Sequence, residues 1–334
     1  MLQQLQYMEK NMYTKKLNYK KLLEDFLNYK RSCGYKYNSE EITLKSFYNY
    51  TKEHSLSSQG LTKEFLETWA RLGIKEGRKS LSNRVSIIKG FAIYLNMIGY
   101  KAYVLKSIRN SKNKNFIPYV FTKEEIKKIF TTIDNWPISN HNLYNSNEVY
   151  PVLFRLLYWC GLRISEALNL KIKNVDTETG KIVIDVAKYD KQRVVIMSES
   201  LKNICHLYKI KYLLYKDPNS TFFQHKDETI RNKNQVNNFF RQILYKANIP
   251  YYGRGKGPYL HNLRHTFACH SFYQMHSNGI DMQVGISLLS VYLGHSSIKA
   301  TERYLQLSQS IFPEITLSIE KVSSNVYVEI EYEK

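Results

Sequence analysis

Apolar residues recur at helical spacing from about Tyr19 to Lys106. Leu22, Leu23, Phe26, Leu27 and Tyr29 make one stripe, and Leu44, Phe47 and Tyr48 a second. Phe65, Leu66 and Trp69 make a third, and Val85, Ile87, Ile88, Phe91, Ala92 and Leu95 a fourth. Breaks at Ser32-Cys33-Gly34, at 55–60 and at 73–77 separate them, so the pattern predicts four amphipathic helices with short connections. The stretch from Lys106 to Asn115 is polar and basic without apolar periodicity, and reads as a linker. A second unit opens at Phe121, where Thr122 and Glu125 predict a capping box. Pro151 is placed in the first turn of an apolar helix through Leu156, Leu157 and Trp159, with Gly161 as its stop. Strands are expected over Lys181–Val186 and Gln192–Met197, joined by a polar turn, and helices over Leu201–Lys216 and Lys233–Ala247. Near the C-terminus Leu293-Gly294-His295 precedes a short helix with Ser296 or Ser297 as its cap and Tyr304 at its far side. The expected organisation is an extension (1–18), a helical unit (19–106), a linker (107–118), a mixed unit (119–313) and a tail (314–334).

Charge narrows the partner. Against 29 Asp and Glu stand 49 Lys and Arg, a net charge of +20 that points to a polyanion, nucleic acid first. No apolar run approaches the roughly 18 residues that span a bilayer, and the opening residues are too polar for a signal peptide, so a cytoplasmic protein without membrane partners is expected. Lys75, Arg78, Lys79, Arg84 and Lys89 lie on the polar side of the helical unit and are expected to face DNA. Arg254 and Lys256 lie in a glycine-rich loop that lacks the Gly-Lys-Ser/Thr ending of a nucleotide cradle, and suit a DNA backbone better. Cys33, Cys160, Cys205 and Cys269 are scattered and read as buried free thiols. His261, His265, His270 and His276 invite a metal reading, but Arg264 stands where a zinc protease carries its glutamate, so no metal site is expected.

Four segments stand in one order: Gly161-Leu162-Arg163-Ile164-Ser165-Glu166, the hairpin lysine, His261-Asn262-Leu263-Arg264, and Leu293-Gly294-His295 with Tyr304 nine residues on. In that order the chain resembles the tyrosine recombinases of the phage integrase family. The resemblance covers most of the chain. It implies an all-α core-binding (SAM-like) domain followed by a mostly α catalytic domain with a small antiparallel β-sheet. It also implies Arg163, Lys188, His261, Arg264, His295 and the nucleophile Tyr304 as the catalytic set. The turn departs from the family's Gly-Lys-Gly pattern, with Ala187 and Tyr189 around Lys188, and Lys191 is a rival for the lysine.

The residue types suit that chemistry independently. Two arginines can clamp the non-bridging oxygens of a phosphodiester. A tyrosine, protonated at neutral pH, needs help to attack, and His261 is a candidate base or phosphate positioner. The leaving 5′ oxygen needs a proton, which Lys188 can donate. The 3′-phosphotyrosine conserves the bond energy, so rejoining needs neither ATP nor a metal. The implied function is a site-specific recombinase, the integrase or transposase of a mobile element, clamping DNA between its domains as a tetramer on two sites and passing through a Holliday junction. A type IB topoisomerase, or a DNA-binding accessory protein of this fold that does not cut, are the alternatives. The tail is expected to pack on a neighbouring protomer.

Overall fold

The computed structural model describes residues 17–54, 60–71, 73, 76–108, 118–137, 146–185, 192–225, 227–251, 257–295 and 297–311. Lys75, Lys188, Lys191, Arg254, Lys256, Ser296, the middle of the expected linker, the expected tail and all but the end of the expected extension lie outside them. The chain divides into two compact units, Met1–Asn115 and Phe116–Lys334, described here separately.

The first unit holds α1 (Tyr19–Ser32), α2 (Asn38–Glu53), α3 (Lys63–Trp69) and α4 (Arg78–Met97), one for each predicted stripe. Their apolar faces meet around Phe26, Phe47, Leu66, Ile88 and Phe91, all fully buried. Full burial of each such side chain contributes roughly 1.5–3 kcal/mol. Arg84, expected to face DNA, is engaged by the segment before α4. Its guanidinium donates to Glu76 Oε1 (3.0 Å) and Oε2 (2.8 Å), to the Arg71 carbonyl (3.0 Å) and to the Trp69 carbonyl, and lies 4.7 Å from the Trp69 ring centroid. With these partners Arg84 ties the segment before α4 to the helix. Lys89 donates to Ser107 Oγ at 2.9 Å, whereas Arg78 and Lys79 are exposed. Cys33 is also exposed, unlike the other three thiols, because it follows the last turn of α1 where no second layer covers it.

The second unit begins with α5 (Lys123–Asp134), closed by the predicted capping box: Thr122 Oγ1 accepts from Glu125 N and Glu125 Oε2 accepts from Thr122 N. Next comes α6 (Ser146–Trp159), which starts earlier than expected and holds Pro151 in its second turn. The N–H that proline lacks would have reached only the opening turn, so the helix tolerates it. After α7 (Ile164–Leu168) and a short 3-10 turn (Ile172–Asn174), β1 (Lys181–Asp185) pairs antiparallel with β2 (Gln192–Ile196), with Val183 opposite Val194. Ile182, Ile184 and Val195 turn into the core while Val194 and Ile196 face out. Then come α8 (Glu199–Leu213), α9 (Lys233–Lys246), α10 (Asn262–Ser277), α11 (Met282–Leu293) and α12 (Lys299–Ile311). A large core joins α5 to α9, and α10, α11 and α12 enclose a smaller one around Cys269, Phe272, Leu293 and Leu307. No helix among the described residues is long and apolar enough to cross a membrane.

Candidate active site

The site is built on the C-terminal end of α11. Gly294 takes a left-handed conformation (φ +63°), and His295 N donates to Ser290 O at 3.0 Å, a Schellman ending that turns the chain sharply and sets His295. The last carbonyls of a helix have no partner within it and sit at the negative end of its dipole. Three arginines from three separate segments satisfy them. Arg193 Nε donates to Tyr292 O (2.9 Å), Arg264 Nη2 to Leu293 O (2.7 Å) and Arg163 Nη2 to Gly294 O (3.1 Å).

One carboxylate offsets part of this charge. Glu166 accepts from the Arg163 side chain (2.7 Å) and backbone (2.8 Å) and from both terminal nitrogens of Arg193 (2.9 and 2.8 Å), and Arg264 Nη1 lies 3.9 Å away. Burial acts to raise its pKa, but the hydrogen bonds and charge of Arg193 and the contacts of Arg163 together outweigh it and hold the group down at about 2. Arg264 is only 2% exposed and also donates to Gly161 O at 2.6 Å. Burial, then the Arg163 charge, bring it down to about 10, so it stays cationic at neutral pH.

Gly161 and Gly294 are both required by this geometry. Gly161 has φ +58°, and a Cβ there would lie 2.4 Å from Phe267 Cδ1; at Gly294 it would lie 2.9 Å from Arg193 Nη1. Gly161→Ala is expected to destabilise the second unit by at least about 2 kcal/mol in urea denaturation, since a left-handed alanine and a displaced ring both cost free energy. An unchanged midpoint would contradict the close approach.

The two ring nitrogens of His295 have fixed roles. Arg264 Nη2 can only donate, so Nε2 at 3.1 Å accepts, and Nδ1 carries the proton that goes to Thr301 Oγ1 at 2.8 Å. Burial and the Arg264 and Arg163 charges push this histidine down to about 4, so it is neutral at pH 7. His261, at the start of α10, keeps part of its surface in solvent; burial of the rest of the ring, then the Arg264, Arg163 and Lys233 charges, lowers its pKa too.

Tyr304 is 4% exposed. The sequence placed it at the end of a short helix; it lies instead in the second turn of α12, whose apolar residues Leu305 and Leu307 carry the helix on to Ile311. Its ring stacks on that of His295 (centroids 5.9 Å, 15°), and its hydroxyl lies 3.0 Å from Nδ1 of His265. Burial raises its pKa, and the Arg264 charge offsets that only in part.

Of the six residues implied as catalytic, Arg163, His261, Arg264, His295 and Tyr304 therefore gather around one end of α11, and Lys188 falls outside the described residues. Sequence reasoning did not assign Glu166, Arg193, His265 or Thr301 to the site. Glu166 was the most legible: arginines converging from separate segments require a counter-charge, and it lies three residues from the first. No three His, Cys, Asp or Glu side chains among the described residues are grouped to hold a metal ion.

Residues 119–310 match the phage integrase family. The chain is 30% identical over 225 residues to the tyrosine recombinase XerA of Thermococcus onnurineus, covering 66% of this chain and 70% of the relative. It is 26% identical over 291 residues to XerA of Pyrococcus horikoshii, covering 86% and 89%. It shares its fold with the XerH site-specific recombinase solved on palindromic difH substrate as a post-cleavage complex: TM-score 0.59, 21% identity, 82% of this chain and 77% of that one. The match spans more than half of the sequence and takes in every arginine and histidine of the cluster around α11, and on it this chain belongs to the phage integrase family, the tyrosine recombinases.

Proposed function

We propose that this protein is a site-specific DNA recombinase, the cytoplasmic integrase or transposase of a mobile element. It cuts and rejoins duplex DNA through a 3′-phosphotyrosine at Tyr304 and a Holliday junction, as a tetramer on paired sites. The observation that carries this reading is the meeting of Arg264, His295 and Tyr304, with Arg163 beside them, in one pocket of arginine charge. Arg163 and Arg264 receive the scissile phosphate, and His295, held between Arg264 and Thr301, fixes the second arginine. The Tyr304 oxygen gives up its proton to His261 and forms a bond to phosphorus as the P–O5′ bond breaks, and the departing 5′ oxygen takes its proton from Lys188. Lys75, Arg78, Lys79, Arg84, Lys89, Arg254 and Lys256 are assigned to the DNA backbone, and the chain boundaries near 107–118 and 314 to a linker and a tail that packs on a neighbouring protomer. The XerH complex, captured after cleavage on its own site, is what a relative of this fold does with DNA.

The test uses short nicked duplexes tiling the DNA on either side of the coding sequence. One duplex is expected to trap a covalent adduct in which the 5′-labelled strand is bound to protein, the released fragment carries a free 5′ hydroxyl, and the phosphotyrosine peptide contains Tyr304. Tight binding to a duplex with no adduct on any nicked form would replace this reading with a non-cutting DNA-binding protein. Adduct formation and relaxation irrespective of sequence would favour a topoisomerase.

A further inference from the structure

The nucleophile's hydroxyl is held by neither of the histidines that the motifs single out. It is held by His265, one residue past Arg264, whose Nδ1 lies 3.0 Å from it. Both groups are buried, at 9% and 4% exposure. They come from α10 and α12, which pack on each other over a shared apolar cluster, so the contact is fixed by two rigid elements. We propose that His265 is a positioning residue for the nucleophile, fixing the Tyr304 phenol by accepting its hydrogen bond. This rests on the reading of Tyr304 as the attacking group.

Direction and magnitude separate this role from that of a base. The groups around the His265 ring are cationic or neutral: His261, Arg264, Arg303 and His295. Burial first, then those neighbours, push its pKa down to about 3, while the phenol is raised above its ordinary value of 10. Moving the proton from one to the other is therefore strongly uphill. A neutral imidazole with its proton on Nε2 is a good acceptor at Nδ1 and a poor base there. It fixes the phenol in one rotamer, and that orientation is worth preserving because small misplacements of an attacking atom cost large factors in rate. His261 meets His265 edge to face, with ring centroids 4.6 Å apart, and so backs the imidazole.

The test compares His265→Asn, His265→Gln and His265→Ala in the full chain, on the nicked duplex that traps the wild-type adduct, with Tyr304→Phe as control. Asparagine can place an acceptor where Nδ1 stands; glutamine reaches the Nε2 position instead. The Asn variant is expected to form adduct within about threefold of wild type, and Gln and Ala about 10- to 100-fold more slowly with DNA affinity unchanged. The pH–rate profile of the Asn variant is expected to superpose on the wild-type one. Equal rates in all three variants, equal losses in all three, or a pH limb lost in the Asn variant would overturn the positioning role. If Ala unfolds, the comparison of Asn with Gln at matched melting temperature decides alone. An adduct that survives Tyr304→Phe, or none from the wild type, sinks the underlying reading and this inference with it; a normal adduct with indifferent His265 variants sinks the inference only.

Discussion

Arg264→Ala is expected to slow covalent adduct formation by at least about 100- to 1000-fold and to lower the stability of the second unit by about 3–5 kcal/mol. The size of both effects follows from where this one side chain sits. Its guanidinium, 2% exposed, joins the Gly161 carbonyl, the Leu293 carbonyl and His295. Truncation strands two buried acceptors and frees the His295 ring whose proton placement Arg264 dictates. Arg264→Lys separates charge from shape. A lysine keeps the cation but cannot bridge two carbonyls and a ring nitrogen from a planar fork. It is expected to recover less than half of the lost stability and to remain at least about tenfold slow, because His295 is no longer held. Urea denaturation together with single-turnover trapping on the nicked duplex measures both. A lysine variant that matched wild type in rate would mean that net positive charge alone serves the phosphate.

The fold was legible wherever a helix or strand has one buried face. The stripes of α1 to α4, the capping box of α5 and the strands of the hairpin each follow from a single interface with the core. The reading weakened where elements are buried on several sides. In α10, Asn262, Arg264, His265 and Thr266 are buried beside Leu263, Ala268 and Phe272, so no apolar stripe exists to be read. Its polar residues are there because they answer distant backbone: Thr266 accepts from Phe121 N, and Asn262 donates to Tyr119 O. The same cause hid the Tyr304 contact. His261 and His265 do share a face, as their spacing of four suggests, but whether such a pair binds a metal or a phenol depends on α12, which lies some forty residues away in sequence. For Arg84 the sequence showed the charge and hid the partners. On a helical wheel it is one cation among several on a polar side, and only the fold of the preceding segment brings Glu76 and two carbonyls to it.

Glu166→Gln is the second large expectation, and it carries a pH signature. The carboxylate receives Arg163 and Arg193, and its side chain is 11% exposed, as against 8% for Arg193. Losing one partner of so buried a group costs about 3–5 kcal/mol, because the largely buried Arg193 is left cationic without its counter-charge. The folded-state pKa of about 2 lies below the ordinary 4.5. Its contribution is therefore fully present above about pH 4.5 and is lost as the pH falls through about 2; a shift of this size corresponds to about 3 kcal/mol. Wild type and Glu166→Gln should accordingly differ most in denaturation free energy near pH 6, and the gap should close steadily from pH 4.5 downward. Asp176, Glu41 and Glu76 are also held low and will titrate in both proteins, so the difference between the two curves isolates Glu166. A gap that stayed constant from pH 6 to pH 3 would show that the amide loses packing or geometry and not charge. Removing one negative charge beside Arg163, Arg193 and Arg264 should leave non-specific DNA affinity at least as high as before while slowing adduct formation at least about tenfold, since Arg163 loses the partner that aims it. A variant that weakened binding and cleavage equally would place Glu166 in holding the unit together and not in aiming the arginines.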